Sequence, residues 1–487
     1  MIEPNHYPNL WLKWASIGQL THLANTDKPR WLAWQVDKTL ILGPRLGVQA
    51  SGCVSCLCRR LASHGLGEPL PLIPETVDAS LVCEGMQQLQ NTLADDLDLL
   101  SWNFEKGWQW HRLLPVPGCS CTKQVIRVSS TIKKACSPYV GIVAAVTTWF
   151  ESGLEANQQS SLVFSKGCDV RALGSVAGEI TGAAYGQVEQ ATTASIAEVL
   201  ERYCAGFIPL DLPTCRAHEL GEPYLAIMPE AFRGAALGSD NLVRWVRGTR
   251  LVNGEPCWVQ AASVYFPYVC HDAEPRSSTG SSEGLAAGAS WDAAVEHAAF
   301  ELIERDSFMR SWRYNSKHFA LPNFYPNRQD LSFTLIDNRF GVPVVSAFSE
   351  LNEIPYCVAG LAARRTIKDA VEASAREALG ARSLFCRVNR QRRNLESRYH
   401  HAVNASLTSI RQHWKSVELA DSSTHRIYLD WMSFVRRVPD AIAVDITTPD
   451  VLSLGIRVAR VVIPGCHGFE PVPGLTRLGG SPWPIPY

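Results

Sequence analysis

The sequence contains no apolar run approaching the ~20 residues that a bilayer-spanning helix needs, so no transmembrane helix is expected. Its opening stretch, MIEPNHYPNLWLKW, lacks the basic segment, continuous apolar segment and small-residue cleavage site of a secretory signal, and the expectation is a cytoplasmic protein. An excess of charge is missing as well. The 46 Lys and Arg against 47 Asp and Glu leave a net charge of -1, which supplies no polyanion-binding surface and argues against nucleic acid as a partner. Low-complexity sequence is absent. What is present is length and cysteine: 487 residues suffice for two or three domains. The 15 cysteines, an odd number in a chain without a signal, read as reduced thiols or metal ligands rather than a disulfide framework.

Cysteines are dense near the start, in GCVSCLCRR (Cys53, Cys56, Cys58) and then in PVPGCSC (Cys119, Cys121). Pro115 to Gly118 break regular structure there, which suggests a small cysteine-containing unit over residues 1–125. From residue 131, and clearly from CSPYVGIVAAV onward, short apolar strands alternate with amphipathic helices. This is the pattern of a mixed α/β (α+β) domain over residues 131–487. TTASIAEVLERYCAG and SWDAAVEHAAFELIERDSF have helical spacing, whereas YLDWMSFVRRV and LGIRVARVVIPG have strand-like apolar content. The end, GLTRLGGSPWPIPY, alternates Pro482, Pro484 and Pro486 with other residues, so it forms neither helix interior nor central strand.

Two of the helical segments repeat the pattern Glu-apolar-apolar-Glu-Arg, as Glu198, Glu201, Arg202 and as Glu301, Glu304, Arg305. At i, i+3 and i+4 these side chains share a helix face, with the carboxylates about 4.5 Å apart along the axis. One such pattern alone is usually a solvated face carrying a local ion pair. Two copies, flanked by Ile196, Val199, Leu200 and Tyr203 and by Phe300, Leu302, Ile303 and Phe308, point instead to buried acids. Buried carboxylates need cations, and Mg²⁺ held by carboxylates commonly completes its octahedron with phosphate oxygens and water. The adjacent arginines suit bidentate contact with those phosphates.

The segment from Ser195 to Tyr203 reads S-x-x-E-x-x-E-R-Y, and SSEGLAAGASWDAAVEHAAFELIERD follows it. With CSPYVGIV, the helix EASAREALGARSLF ending near Arg382, VDITTPDVLSLGIRVARVVIPG and the Pro-rich end, these motifs resemble the YcaO family, in its order, over most of residues 131–487. The resemblance implies a YcaO-type ATP-binding domain that binds ATP without a Walker loop, and no G-x-x-x-x-G-K-[ST] occurs here. It implies Mg²⁺ on Glu198, Glu201, Glu301 and Glu304, and nucleotide phosphates on Ser195, Arg202, Arg305 and Arg382. Three departures from the family pattern fall near this site. Tyr185, Gly186 and Gln187 stand where Gly-Lys-Gly is frequent, Glu283 where Asn commonly precedes the glycine, and Gly380 where Gln is usual.

The activity implied is an ATP-dependent cyclodehydratase of ribosomally made peptides. A Cys, Ser or Thr of the substrate attacks the preceding amide carbonyl, the oxygen is phosphorylated, and loss of phosphate leaves a thiazoline or oxazoline. Pro486 and the terminal carboxylate of Tyr487 are implied to act in the site. The cysteine-rich start resembles a shortened E1-like, zinc-ribbon-like unit, which implies structural Zn²⁺ on Cys53, Cys56, Cys119 and Cys121, with Cys58 as a substitute. The implied partners are a precursor peptide, a separate leader-binding E1-like protein and a flavin-dependent dehydrogenase, with a homodimer left open. Alternatives within the resemblance are a thioamide- or amidine-forming enzyme, and a catalytically weak docking subunit.

Overall fold

A computed structural model describes residues 10–11, 30–36, 38–46, 53–66, 79–91, 97–123, 131–150, 160–220, 226–227, 242–270, 274, 281–314, 317–321, 330–350, 357–388, 417–419, 430–466 and 468. The chain divides into two compact units: Met1–Val146 with Ser165–Gly182 and Thr448–Ile456, and Thr147–Phe164 with Ala183–Thr447 and Arg457–Tyr487. It is a mixed helix and sheet protein, with 36% of the described residues helical and 35% in strands.

The first unit begins with strands β1 (Leu10–Trp11), β2 (Arg30–Val36) and β3 (Thr39–Leu46), helices α1 (Val54–Ser63) and α2 (Ala79–Asn91), and strands β4 (Asp98–Asn103) and β5 (Gly107–Arg112). The five strands form one sheet in chain order. Strand alternation sends Leu32, Trp34, Ile41 and Leu99 to one face, where Leu57 and Leu61 of α1 cover them. Trp31, Ala33, Leu40, Leu42 and Leu100 go to the other face, under Val82, Met86 and Leu89 of α2. Arg60 of α1 is fully buried, and it donates to the carbonyls of Leu114 and Pro115 and to the buried carboxylate of Asp450, at 2.6 Å. It therefore pins the cysteine helix to the strand exit that leads to Cys119.

Next come β6 (Val143–Phe150), β7 (Ser160–Asp169) and β8 (Glu179–Gln187), a three-stranded sheet in that order. From β8 the chain runs directly into α3 (Val188–Ala205). The strands β9 (Thr214–Cys215), β10 (Ala226–Ile227), β11 (Val243–Arg250), β12 (Pro256–Gln260) and β13 (Leu285–Gly288) precede α4 (Trp291–Tyr314). The strands β14 (His318–Ala320), β15 (Leu331–Ile336), β16 (Val344–Glu350) and β17 (Cys357–Ala363) precede α5 (Ile367–Val388) and β18 (Val417–Leu419). The described part of the chain closes with α6 (Trp431–Arg437), β19 (Ile442–Asp445), α7 (Pro449–Ser453) in the first unit, and β20 (Arg457–Val462).

Two sheets of the second unit matter for function. One runs β10-β12-β11-β19-β20-β13 with β9 on β11, and the other β17-β16-β15-β14-β18. Their end strands β13 and β17 are edges, with backbone N–H groups not used by a neighbouring strand. Helix α5 lies on the second sheet, its Ala370, Val371, Ala375, Ala378 and Leu379 packing on Leu331, Phe333, Leu335 and Val345. Helix α4 buries Ala298, Ala299, Phe300, Leu302, Ile303, Phe308 and Met309, apolar around most of its girth as a core helix must be. YLDWMSFVRRV, expected as a strand, is instead the short helix α6. Asp430 caps it by accepting from the Ser433 backbone N–H at 3.1 Å, a local signal that outweighs the run's apolar strand-like content.

Gly360 of β17 marks the closest approach of α5 to its sheet. A Cβ there would collide with the backbone of Ser374 and Ala378 and press on Glu377. Backbone cannot yield as a side-chain end does, so Gly360→Ala is expected to lower unfolding stability by about 2 kcal/mol or more, read from the chemical denaturation midpoint at unchanged slope.

Candidate functional site

Helix α3 reaches its position with Ser195, Ile196, Val199, Leu200 and Tyr203 buried, which leaves Glu198, Glu201 and Arg202 on the adjoining, half-buried stripe. Helix α4 presents Glu301 and Arg305 half-buried and Glu304 buried. Each of these glutamates is oriented by a backbone N–H of an edge strand or the turn before it. Glu198 accepts from Ala183 of β8 at 2.7 Å, and Glu201 from Ala287 of β13 at 2.8 Å. Glu301 accepts from Gly284, just ahead of β13, at 2.8 Å, and Glu304 from Ala363 of β17 at 2.7 Å. A fifth carboxylate joins them: Glu377 of α5 accepts from Leu361 of β17 at 3.0 Å.

The acids share one electrostatic environment. Burial pushes every one of the four motif carboxyls above the ordinary range, and the neighbours add to it. Glu201 is pushed well up by burial, against the bond from Ala287 and with the charges of Glu198 and Glu301. Burial lifts Glu301 to about 7, with Glu283 contributing, and lifts Glu304 to about 8, with Glu377 contributing. Burial also raises Glu198, helped by Glu377. Two like-charged helices and their neighbours thus form one cluster.

Cations only partly balance it. Arg202 binds Glu198 at 2.6 Å, Arg305 lies 3.9 Å from Glu301, and Arg364 donates to Glu304 at 3.3 Å. Arg460 is fully buried, donates to the carbonyls of Ser263 and Ser281, and holds Glu301 down slightly. Six carboxylates, Glu198, Glu201, Glu283, Glu301, Glu304 and Glu377, face four guanidiniums. The second oxygens of Glu201, Glu304 and Glu377 take no hydrogen bond among the described residues. Oriented hard oxygens in cationic deficit suit Mg²⁺.

The remaining expected residues fall as follows. Ser195 is fully buried, and its hydroxyl donates to the Thr192 carbonyl at 3.0 Å. Arg382 lies on α5, and its guanidinium meets Asp330 at 2.5 Å and Ser349 at 3.5 Å. Pro482, Pro484, Pro486 and Tyr487 lie outside the described residues. The chain just before them is well held: buried Asp306 accepts from Arg310 and Arg339, both of which also donate to the Gly465 carbonyl, and Gly468 then passes against the Glu283 carboxylate. Glu377 and Arg364 escaped the motif reading. Glu377 stood inside EASAREALGARSLF, but nothing in one helix's sequence tells that its carboxylate meets an edge strand 16 residues away.

Two of the departures, Tyr185 and Gly380, turn out to be neighbours. A Cβ on Gly380 would sit 2.9 Å from Cβ of Tyr185, and one on Gly186 would lie 3.6 Å from Cδ of Arg376. Gly186 has φ +149°, which an ordinary side chain resists. Glu283, nearly buried, adds its charge to the cluster.

In the first unit Cys53 precedes α1, Cys56 sits in its first turn, and Cys119 and Cys121 follow the Pro-Gly break. The four sulfurs all lie within 4.8 Å of one another. Cys53 and Cys119 are 3.7 Å apart, and Cys56 and Cys121 3.4 Å, near the ~3.8 Å between sulfurs of a tetrahedral zinc site. Hydrogen bonding by Cys56 holds the Cys53 thiol at about 5, while Cys56 itself is pushed up. Cys58 is not in the cluster.

A mixed domain that gathers six acids around a few guanidiniums is suited to holding divalent cations against phosphates. A family model for YcaO cyclodehydratase, ATP- and Mg²⁺-binding, matches residues 185–467, more than half of the sequence. The chain belongs to the YcaO family, is an ATP-dependent enzyme of it, and has ATP and Mg²⁺ as cofactors. Solved structures of similar fold include a heterocyclase in complex with substrate and cofactor. That one is 16% identical, with 96% of this chain and 79% of that one covered, at TM-score 0.68. The heterocyclase TruD is 17% identical over 96% and 72%, at 0.59, and the E. coli microcin synthetase McbBCD complex 15% identical over 74% and 100%, at 0.51. No curated protein sequence matches the chain. No helix among the described residues is long and apolar enough to cross a membrane.

The raised carboxyls set a pH dependence. They hold protons more tightly in the folded than in the unfolded chain, so the metal-free protein loses stability as pH rises from the ordinary carboxylate range through about 7 and about 8. Mg²⁺ held by these carboxylates would have to displace those protons. Its affinity is expected to rise with pH up to about 8 with measurable proton release, and Glu304→Gln should raise the metal-free Tm at the alkaline end while weakening Mg²⁺ binding.

Proposed function

We propose that this enzyme is a cyclodehydratase that converts Cys, Ser or Thr residues of a ribosomally made precursor peptide into thiazolines or oxazolines. The observation that carries the reading is the shared acid cluster of α3, α4 and α5 in a YcaO chain whose fold is that of heterocyclases. In this reaction the substrate's own thiol or hydroxyl forms a bond to the preceding carbonyl carbon, and the amide oxygen becomes the leaving group. ATP, when bound, supplies the phosphoryl group that makes that oxygen leave as phosphate, with ADP as the other product and both the thiol or hydroxyl proton and the amide proton released.

The residues divide the work. Glu198, Glu201, Glu301 and Glu304 hold Mg²⁺, with Glu377 and Glu283 beside them. Arg202 and Arg305 neutralise phosphate charge, and Ser195 and Arg382 complete the nucleotide's contacts. Pro486 and the terminal carboxylate of Tyr487 serve proton transfer or order the site, a role supported by the anchoring of Gly465 and the approach of Gly468 to Glu283. No cysteine of this protein is required as nucleophile, because the substrate brings it.

We read the amino-terminal unit as a shortened E1-like domain with a structural Zn²⁺ on Cys53, Cys56, Cys119 and Cys121, supported by the convergence of the four sulfurs. A separate leader-binding protein presents the substrate, a flavin-dependent dehydrogenase acts downstream, and the reaction takes place in the cytosol.

Three outcomes are expected. Purified enzyme, presenting partner, ATP and a Cys, Ser or Thr-rich precursor should give products lighter by one water per ring, and Glu201→Gln should cut that turnover at least about 100-fold without unfolding the protein. A gain in mass from exchange of oxygen for sulfur would mark a thioamide synthase instead. Removing the last five residues should abolish turnover while nucleotide binding survives. Elemental analysis should find one zinc per chain, lost when Cys56 and Cys121 are both changed to Ser, with a fall in Tm.

A further inference from the structure

We propose that Arg376 is a further residue for nucleotide binding, contacting the polyphosphate of ATP; the proposal rests on the nucleotide reading given above. Gly380 lies four residues after Arg376 and three after Glu377, so each of them is its neighbour on the surface of α5. The end of β8 lies along this face, since Tyr185 fills the space beside Gly380 and the side-chain stem of Arg376 passes over Gly186. Three residues before Gly186, the N–H of Ala183 orients Glu198. Next to Arg376 in sequence, Glu377 accepts from Leu361 and its charge reaches both Glu198 and Glu304. Arg376 therefore stands at the edge of the acid cluster.

Its lack of a partner is what distinguishes it. Arg202 is held by Glu198, Arg305 faces Glu301, Arg364 donates to Glu304 and Arg382 binds Asp330. Arg376 is exposed and makes no hydrogen bond or ion pair among the described residues, although Glu372 lies one turn back. Opposite charges at that spacing usually pair, weakly, in water. A guanidinium left uncommitted at the border of a Mg²⁺-binding acid cluster is matched in charge and fork geometry to the anion the metal brings, a polyphosphate.

The test is binding of AMP-PNP with Mg²⁺ by isothermal titration calorimetry to the full-length chain and to Arg376→Ala and Arg376→Lys, with Tm measured for each. The alanine variant is expected to lose about 10-fold or more in affinity at unchanged Tm, the lysine variant to recover most of it, and inorganic tripolyphosphate to compete more weakly against the alanine variant by a like factor. Equal affinity in Arg376→Ala overturns the assignment, as does a loss that tracks a lower Tm and is not recovered by lysine. If the unaltered chain binds no AMP-PNP, the nucleotide reading itself falls and takes this assignment with it. Binding that is unaffected by Arg376→Ala removes only Arg376.

Discussion

Five glutamates from three helices each accept a hydrogen bond from a backbone N–H of an edge strand or its lead-in turn, and the site depends on that single kind of bond. An edge strand presents donors that need partners, and a buried carboxylate needs donors. Each meets the other's requirement at Ala183, Gly284, Ala287 and Ala363, and the more exposed Glu377 makes the same bond at Leu361. The bonds also leave second oxygens of several glutamates directed away from the strand.

Such a cluster is under tension without its ligand. Burying an ionised carboxylate costs several kcal/mol, and a hydrogen bond to a charged group returns about 1.5–3. Burial, with the charges of Glu283 and Glu377 added to it, makes Glu301 and Glu304 hold protons up to about 7 and about 8, and the guanidiniums offset this only in part. Divalent cations held there would relieve the deficit and attract phosphate in turn. Binding of metal and of nucleotide would thereby be coupled through the same charges.

The departures from the family pattern fit this account. Tyr185 and Gly380 are complementary in size, one side chain filling what the other lacks, and Gly186 carries the positive φ of +149° at the end of β8, beside the Arg376 stem. Glu283 adds a carboxylate beside Glu301 and lies against Gly468, where the chain heads toward its proline-rich end. They contact or charge the cluster's surroundings and leave its five bonds to backbone intact.

By itself the sequence determined a great deal: the two Glu-x-x-Glu-Arg helices, the mixed fold, the cysteine pairs and the family, because helical spacing and motif order are properties of neighbours along the chain. It misjudged YLDWMSFVRRV, where a single N-cap at Asp430 decided for helix. Only the tertiary structure decided which strand edge meets which carboxylate. It alone added Glu377 and Arg364, left Arg376 without a carboxylate partner among the described residues, and drew the sulfurs of Cys53 and Cys119 together from 66 residues apart. Those are encounters between distant segments, set by how sheets end and helices pack, and no local pattern encodes them.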